Sequence, residues 1–189
     1  TLIIILKMDN KHQLETATLA GGCFWYTEAI FKRLKGVISV TSGYSGGEVD
    51  HPTSKEVYTG NTGHAESIQI KFDPQVISYE KILEVFWHLI DPTTLNRQGA
   101  DVGTQYRSMI FYNNEEQKRI AERSKEKIEK SGMYKNLIVT QIVPFTNFYQ
   151  AEDYHQNYYE RNSDISYCKI VIDPKIQKLM TEFGAMVKT

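Results

Sequence analysis

Cysteine is scarce in this chain of 189 residues, which holds only Cys23 and Cys168. Two distant thiols cannot staple a disulfide scaffold, and they form neither a CxxC pair nor a cluster with zinc-ligand spacing, so no metal is expected. A surplus of positive charge is also missing. Lys and Arg number 22 against 23 Asp and Glu, a net charge of -1, so nothing stands ready to neutralise phosphates and no nucleic-acid partner is expected. No apolar run approaches the roughly 20 residues that span a bilayer, so no membrane is expected either. The opening Leu2 to Leu6 run is followed by Lys7 rather than preceded by a basic stretch, and it is too short for a signal-peptide core. A cytoplasmic protein is the resulting expectation. Only 5 prolines are present, and no Pro/Gly-rich tract, repeat or low-complexity segment divides the chain. One domain over residues 14–189 is expected, with residues 1–13 as a loosely attached leader and a monomer as the default state.

What is present is an ordinary globular composition, 41% hydrophobic and 24% charged, in which strand and helix patterns interleave. Glu15 to Ala20 alternates weakly and predicts a strand ending at Gly21-Gly22. Thr27 to Leu34 predicts a helix that Gly36 stops. Val37 to Val40 predicts a strand running toward Gly43, and His64 to Phe72 one with Ile68, Ile70 and Phe72 on a single face. Tyr79 to Ile90 has the apolar content of a buried helix, whereas Asn114 to Lys130 is almost wholly charged and predicts a solvated one. Further strands are predicted at Tyr106 to Tyr112, Leu137 to Val143 and Ile170 to Ile172. A short helix is predicted from Glu152 to Tyr159, and a terminal helix from Pro174. Without strict βαβ alternation the expected class is α+β, a mixed sheet flanked by helices.

Chemistry concentrates at Gly21-Gly22-Cys23-Phe24-Trp25. A strand ends, two glycines permit a sharp turn, and a cysteine lands at the head of the next helix. Unpaired N–H groups and the helix dipole there favour an anion, so a lowered thiol pKa is expected. Glycines let a substrate come close, and Phe24 and Trp25 offer an apolar wall. A buried structural cysteine would need none of this. Cys23 reads as a nucleophile.

Gly22-Cys23-Phe24-Trp25 followed by Glu28 resembles the signature of A-type peptide methionine sulfoxide reductases. Gly43-Tyr44-Ser45-Gly46-Gly47, Thr62-Gly63-His64-Ala65-Glu66, Phe86-Trp87 and Asp91-Pro92 are similar to further blocks of that family. So are Gly103-Thr104-Gln105-Tyr106-Arg107-Ser108 and Ala151-Glu152-Asp153-Tyr154-His155-Gln156, all in the family's order. The resemblance implies a ferredoxin-like βαβ core and reduction of methionine-S-sulfoxide in peptides and proteins, with free methionine sulfoxide as a further candidate. It implies no cofactor, and thioredoxin or another dithiol as reductant.

Sulfoxide reduction needs a soft nucleophile at sulfur and a proton for the departing oxygen. A carboxylic acid supplies that proton near neutral pH only if burial raises its pKa from about 4.3. By resemblance Glu66 holds the acid position, and Asp101 and Tyr106 match residues that bind and orient the sulfoxide oxygen or a nearby water. Phe24 and Trp25 are expected to form the pocket for the substrate's S-methyl group, with His155 close by. Cys168 resembles the resolving cysteine, which condenses with the sulfenic acid left on Cys23. It enters the alternating run Lys169 to Ile172, so a strand-bound thiol unable to move is the competing expectation.

Two positions depart from the family pattern. Ser54, in His51-Pro52-Thr53-Ser54, stands where a second active-site tyrosine is common, so its hydrogen bond is expected to be lost or supplied by Tyr44 or Tyr58. Position 26 is Tyr rather than Gly, which is expected to narrow the floor of the site. Two rival readings remain. A papain-like cysteine protease would pair Cys23 with His155, but Ala17 and Val171 occupy the places of its expected Gln and Asn. A Tyr-rich binding module would need no cysteine at a helix start.

Overall fold

The computed structural model describes residues 13–189, so the expected leader lies, apart from Gln13, outside the described residues. The chain begins with β1 (Glu15–Gly21), α1 (Phe24–Phe31), β2 (Val37–Ser45) and α2 (Ser54–Tyr58). It continues through β3 (Ala65–Phe72), α3 (Tyr79–Leu89) and a small hairpin of β4 (Arg97–Gln98) and β5 (Asp101–Val102). Then follow β6 (Ser108–Tyr112), α4 (Glu115–Lys130), β7 (Gln141–Pro144), β8 (Tyr149–Gln150), α5 (Tyr158–Arg161) and α6 (Asp173–Phe183).

The main sheet has six strands in the order β7-β6-β1-β3-β2-β8. All neighbours are antiparallel except β6 and β7, which makes the sheet mixed. β1 and β2 flank β3, and β3 and β6 flank β1, with α1 and α3 as the crossovers. Two interlocked split β-α-β units result, which is the ferredoxin-like arrangement. The α+β class and the flanked mixed sheet agree with the sequence expectation. Among the described residues no helix is long and apolar enough to cross a membrane.

Strand periodicity decides where the core sits. On β3, Ile68, Ile70 and Phe72 share one face and pack with Ala17 and Leu19 of β1 against α1, α3, α4 and α6. Ala65 points the other way, into a smaller cluster with Ala20, Met109 and Phe111. Glu66 has the parity of Ile68, so it too faces the helices. That placement of a carboxyl on the apolar side of the sheet positions the site described below.

Several predicted elements change. The strand predicted from Leu137 begins only at Gln141, and the one from Tyr106 opens with a 3₁₀ turn over Thr104–Tyr106. The helix predicted over Glu152 to Tyr159 is split by Asn157, whose φ of 53° is left-handed, into a 3₁₀ turn at Asp153–His155 and α5. The strand predicted at Ile170 to Ile172 is π-helix, Cys168–Ile172, running directly into α6. Cys168 and Ile172 are both buried while Ile170 is 74% exposed, a one-turn spacing that a strand reading of the same residues misses. α2 was not anticipated. It is held by a capping box in which Thr53 accepts from the Glu56 N–H while Glu56 accepts from Thr53.

Because Ile68 is wholly buried between β3 and the helices, Ile68→Ala is expected to cost about 2–5 kcal/mol in a denaturant titration. A loss below about 1 kcal/mol would mean that this face of the sheet is not the main core.

Candidate active site

The end of β1 builds the site. Gly22 has a φ of 95°, and a Cβ there would lie 2.0 Å from the Tyr26 hydroxyl and 2.7 Å from the Gln98 side chain. Only glycine serves such a turn. Cys23 then caps α1, with φ and ψ of -57° and 125°, and is 6% exposed. The backbone N–H of Phe24 in the first turn donates to Glu66 Oε2 at 3.0 Å. An otherwise unpaired helix N–H thus meets the single carboxyl that β3 presents to the helix face.

Glu66 is 3% exposed. Burial pushes its pKa up to about 8, against the Phe24 N–H bond, which pulls it down, and with the nearby Asp101 charge pushing the same way as burial. The carboxyl is therefore uncharged at neutral pH. The Cys23 thiol departs from the sequence expectation. Burial raises its pKa well above the ordinary value and Glu66 adds to the effect, outweighing hydrogen bonding from Tyr167 and the Trp25 N–H. The helix terminus helps the thiolate, but desolvation is the larger effect and the resting thiol is neutral.

Aromatic side chains surround this pair. Phe24 is buried against Tyr44 and His155, at ring-centroid distances of 5.6 and 5.1 Å. The Trp25 indole stacks on Tyr158 at 3.6 Å and 4°. Tyr167 meets its edge at 5.6 Å and 82°. Trp25 Nε1 donates to His155 Nδ1 at 3.0 Å, so the imidazole is neutral with its proton on Nε2. Burial holds the His155 pKa below its ordinary value, which keeps that acceptor available at neutral pH. A histidine engaged this way does not pair with Cys23, which removes the protease reading.

Asp101 and Tyr106 also come to the site. Asp101 Oδ2 accepts from the Tyr167 hydroxyl at 2.8 Å. The Tyr106 phenol is pushed up by burial and then by Glu66, Tyr58, Cys23 and Asp101. Tyr58 is pushed up by burial and then by Glu66 and Cys23. Ser54 turns elsewhere. Its hydroxyl bonds Glu152 Oε2 at 2.7 Å and Tyr154 at 2.6 Å, and the Tyr44 hydroxyl donates to Glu152 Oε1 at 3.3 Å. Burial works against the Glu152 charge, but the hydrogen bonds it accepts from Ser54 and Tyr154 hold it at about 2. Of the two candidates to replace the missing tyrosine, Tyr44 is tied to this carboxylate, and Tyr58 is 48% exposed on α2. Tyr26 lies under the site, its phenol pushed up by burial and then by Cys23, Asp101 and Glu66. It is buried beneath the glycine turn, its hydroxyl donating to the Gly21 carbonyl and its ring 4.6 Å from Lys175 Nζ.

Sequence reasoning missed Tyr167 and Glu152 as site residues. Tyr167 was legible only as the last of five tyrosines from Tyr149 onward that rim the cleft or pack beneath it, and Glu152 only as part of the block containing His155. Cys168 itself is fully buried, one residue beyond Tyr167.

A buried thiol beside a protonated carboxyl suits attack on a soft centre whose oxygen must take up a proton. That defines the class: an enzyme that removes oxygen with a cysteine nucleophile and a carboxylic acid. A family model described as peptide methionine sulfoxide reductase matches residues 15–186. A peptide methionine sulfoxide reductase of Sulfolobus acidocaldarius is 57% identical over 170 residues, covering 90% of this chain and 96% of that protein. Among solved structures, reduced Mxr1 from Saccharomyces cerevisiae superposes with a TM-score of 0.78 at 35% identity, covering 82% of this chain and 90% of that one. Mxr1 in complex with Trx2 gives a TM-score of 0.56 at 27% identity, covering 78% and 86%. The chain belongs to the peptide methionine sulfoxide reductase family.

The Glu66 carboxyl is expected to be protonated at pH 7 and to ionise with a midpoint near 8. Because this pKa is raised on folding, the stability it contributes is fully present below the unfolded value of about 4.5 and is lost as pH rises through about 8. Infrared spectra should show a protonated-carboxyl band that fades through that range and is absent from Glu66→Gln. A band already gone at pH 6 would mean that water reaches the group.

Proposed function

We propose that this chain reduces methionine-S-sulfoxide in peptides and proteins, and repairs oxidised methionine in the cytoplasm with a thioredoxin-type dithiol as final reductant. The observation that carries the reading is the buried pair at the head of α1, Cys23 beside a Glu66 held uncharged against the Phe24 N–H. Residues 14–189 are proposed as the catalytic unit.

In the first step the substrate methyl lies against Phe24 and Trp25, and the sulfoxide oxygen faces Glu66, Tyr106 and Tyr58. Cys23 Sγ attacks the sulfur as Glu66 gives its proton to the oxygen, and the thiol proton restores Glu66. The hydroxyl then passes to Cys23 Sγ as the new sulfur–sulfur bond and the substrate sulfur–oxygen bond both break, one electron pair staying on the departing methionine sulfur and the other forming the sulfenic acid's sulfur–oxygen bond. Asp101 orients the hydroxyl groups around the oxygen. General acid catalysis of this kind contributes about 10²–10⁴-fold.

Recycling requires a second thiol. Cys168 is proposed to condense with the sulfenic acid, releasing water and forming a Cys23–Cys168 disulfide, which an external dithiol then reduces by exchange. Its helical setting supports this better than the strand predicted from sequence, since a terminal helix can unwind without breaking a sheet ladder. The yeast Mxr1 structure with Trx2 supports thioredoxin as the exchange partner.

Cys23→Ser should abolish turnover while the protein stays folded. Glu66→Gln should lower the single-turnover rate about 10²–10⁴-fold and flatten the alkaline limb of the pH profile. A rate within about threefold of the parent would assign Glu66 to structure. Cys168→Ser should release one methionine per enzyme and then stall with thioredoxin, whereas the parent should yield the Cys23–Cys168 disulfide by mass spectrometry. Unchanged thioredoxin-dependent turnover in Cys168→Ser would leave Cys23 as the sole redox thiol.

A further inference from the structure

The chemistry above demands sulfur nucleophilicity from a thiol that burial keeps protonated. The ionisable groups facing Cys23 that penalise its thiolate are Glu66 and Asp101, both acidic, and no cation is among the groups that relieve it. Relief comes from two hydrogen-bond donors, the Trp25 backbone N–H and the Tyr167 hydroxyl. The first comes with any helix start. The second comes from a segment more than a hundred residues away, and its placement needs an explanation.

Tyr167 is fixed at both ends. Its ring stands edge-on to the Trp25 indole at 5.6 Å, and its hydroxyl donates to Asp101 Oδ2 at 2.8 Å while lying within hydrogen-bonding reach of the Cys23 sulfur. One phenol proton therefore has two acceptors. With a neutral thiol, the Asp101 carboxylate is the stronger acceptor and holds it. Once the thiol has lost its proton, the sulfur becomes a charged acceptor at the same oxygen.

We propose that Tyr167 is a catalytic residue of the reduction step, its hydroxyl turning from Asp101 to the Cys23 sulfur as the thiol gives up its proton. Asp101 is then a positioning residue, holding the phenol on the nucleophile's side of the pocket until it is needed. No covalent bond changes at Tyr167, and its proton stays on oxygen throughout. The arrangement supplies charge stabilisation in the transition state without a permanent cation, which would ionise Glu66 and remove the acid. This assignment rests on the proposed reduction, but its first test does not.

Hydrogen bonds to charged groups contribute about 1.5–3 kcal/mol, or roughly tenfold to a hundredfold in rate or ionisation. Tyr167→Phe keeps the ring on Trp25 and removes only the hydroxyl. Alkylation of Cys23 by iodoacetamide, followed by peptide-resolved mass spectrometry across pH, should shift by one to two pH units to the alkaline side. Single-turnover methionine release should fall roughly tenfold to a hundredfold with little change in KM. In a double-mutant cycle with Asp101→Asn the two losses should be less than additive. Site-specific 3,5-difluorotyrosine at position 167, which keeps the shape and strengthens the donor, should move the alkylation profile to the acid side. A parent-like alkylation profile in both variants would overturn the proposal and leave Tyr167 as packing. An alkylation shift with no sulfoxide reduction by the parent would instead overturn the functional reading and the catalytic assignment that rests on it, leaving only the Tyr167–Cys23 hydrogen bond.

Discussion

A carboxylic acid that must hold its proton at neutral pH cannot face water, yet it must stand where a substrate oxygen will arrive. Glu66, the proposed acid, is placed to meet both demands because β3 alternates. The parity that buries Ile68, Ile70 and Phe72 under the helices carries Glu66 to the same side, at the strand end where α1 begins. Its single backbone partner there is the Phe24 N–H, a group that every helix start leaves unpaired. One hydrogen bond satisfies the buried acid without ionising it, and the same helix start carries the nucleophile. Moving the register of β3 by one residue would put the carboxyl on the opposite face and leave the thiol without an acid.

The second constraint is orientation of the apolar wall. Trp25 is held by a stack on Tyr158, an edge contact with Tyr167 and a hydrogen bond to His155, and aromatic pairs add about 0.5–1.5 kcal/mol each beyond their burial. These partners come from the last part of the chain, which has little regular structure to hold it in place. Side chains do that instead. The Gln156 amide donates to the Ser42 carbonyl and accepts from the Ser42 N–H, imitating a strand partner at the sheet edge. Glu28, on α1, accepts from the Asn157 N–H with both oxygens. The acid block after β8 is therefore tied to the helix that carries Cys23, and the Glu152 network ties it to α2.

This explains the substitution at position 54. Its hydroxyl serves the Glu152 network together with Tyr154.

Much of this was legible in the residues. Alternation in β3 read correctly because one face of that strand is buried and the other is not. The glycine turn before Cys23 read correctly because its backbone demands are local. The neutral thiol was not legible, since helix-terminus stabilisation can be inferred from position whereas desolvation depends on how completely distant elements close over the sulfur. The segment after Tyr167 failed for a related reason. Ile170, Val171 and Ile172 have strand-like composition, but burial of Cys168 and Ile172 against α1 and α6 imposes helical spacing on them. The sequence by itself determined the α+β class, the glycine turn that sets Cys23 at a helix start and the strand face that Glu66 shares with Ile68, because each follows from local periodicity or a contiguous motif; the ferredoxin-like order and the roles of Cys23 and Glu66 came with the family resemblance. Only the tertiary structure decided the protonation of the pair and the arrival of Tyr167 at the sulfur, because both arise from residues that meet only once the sheet has folded.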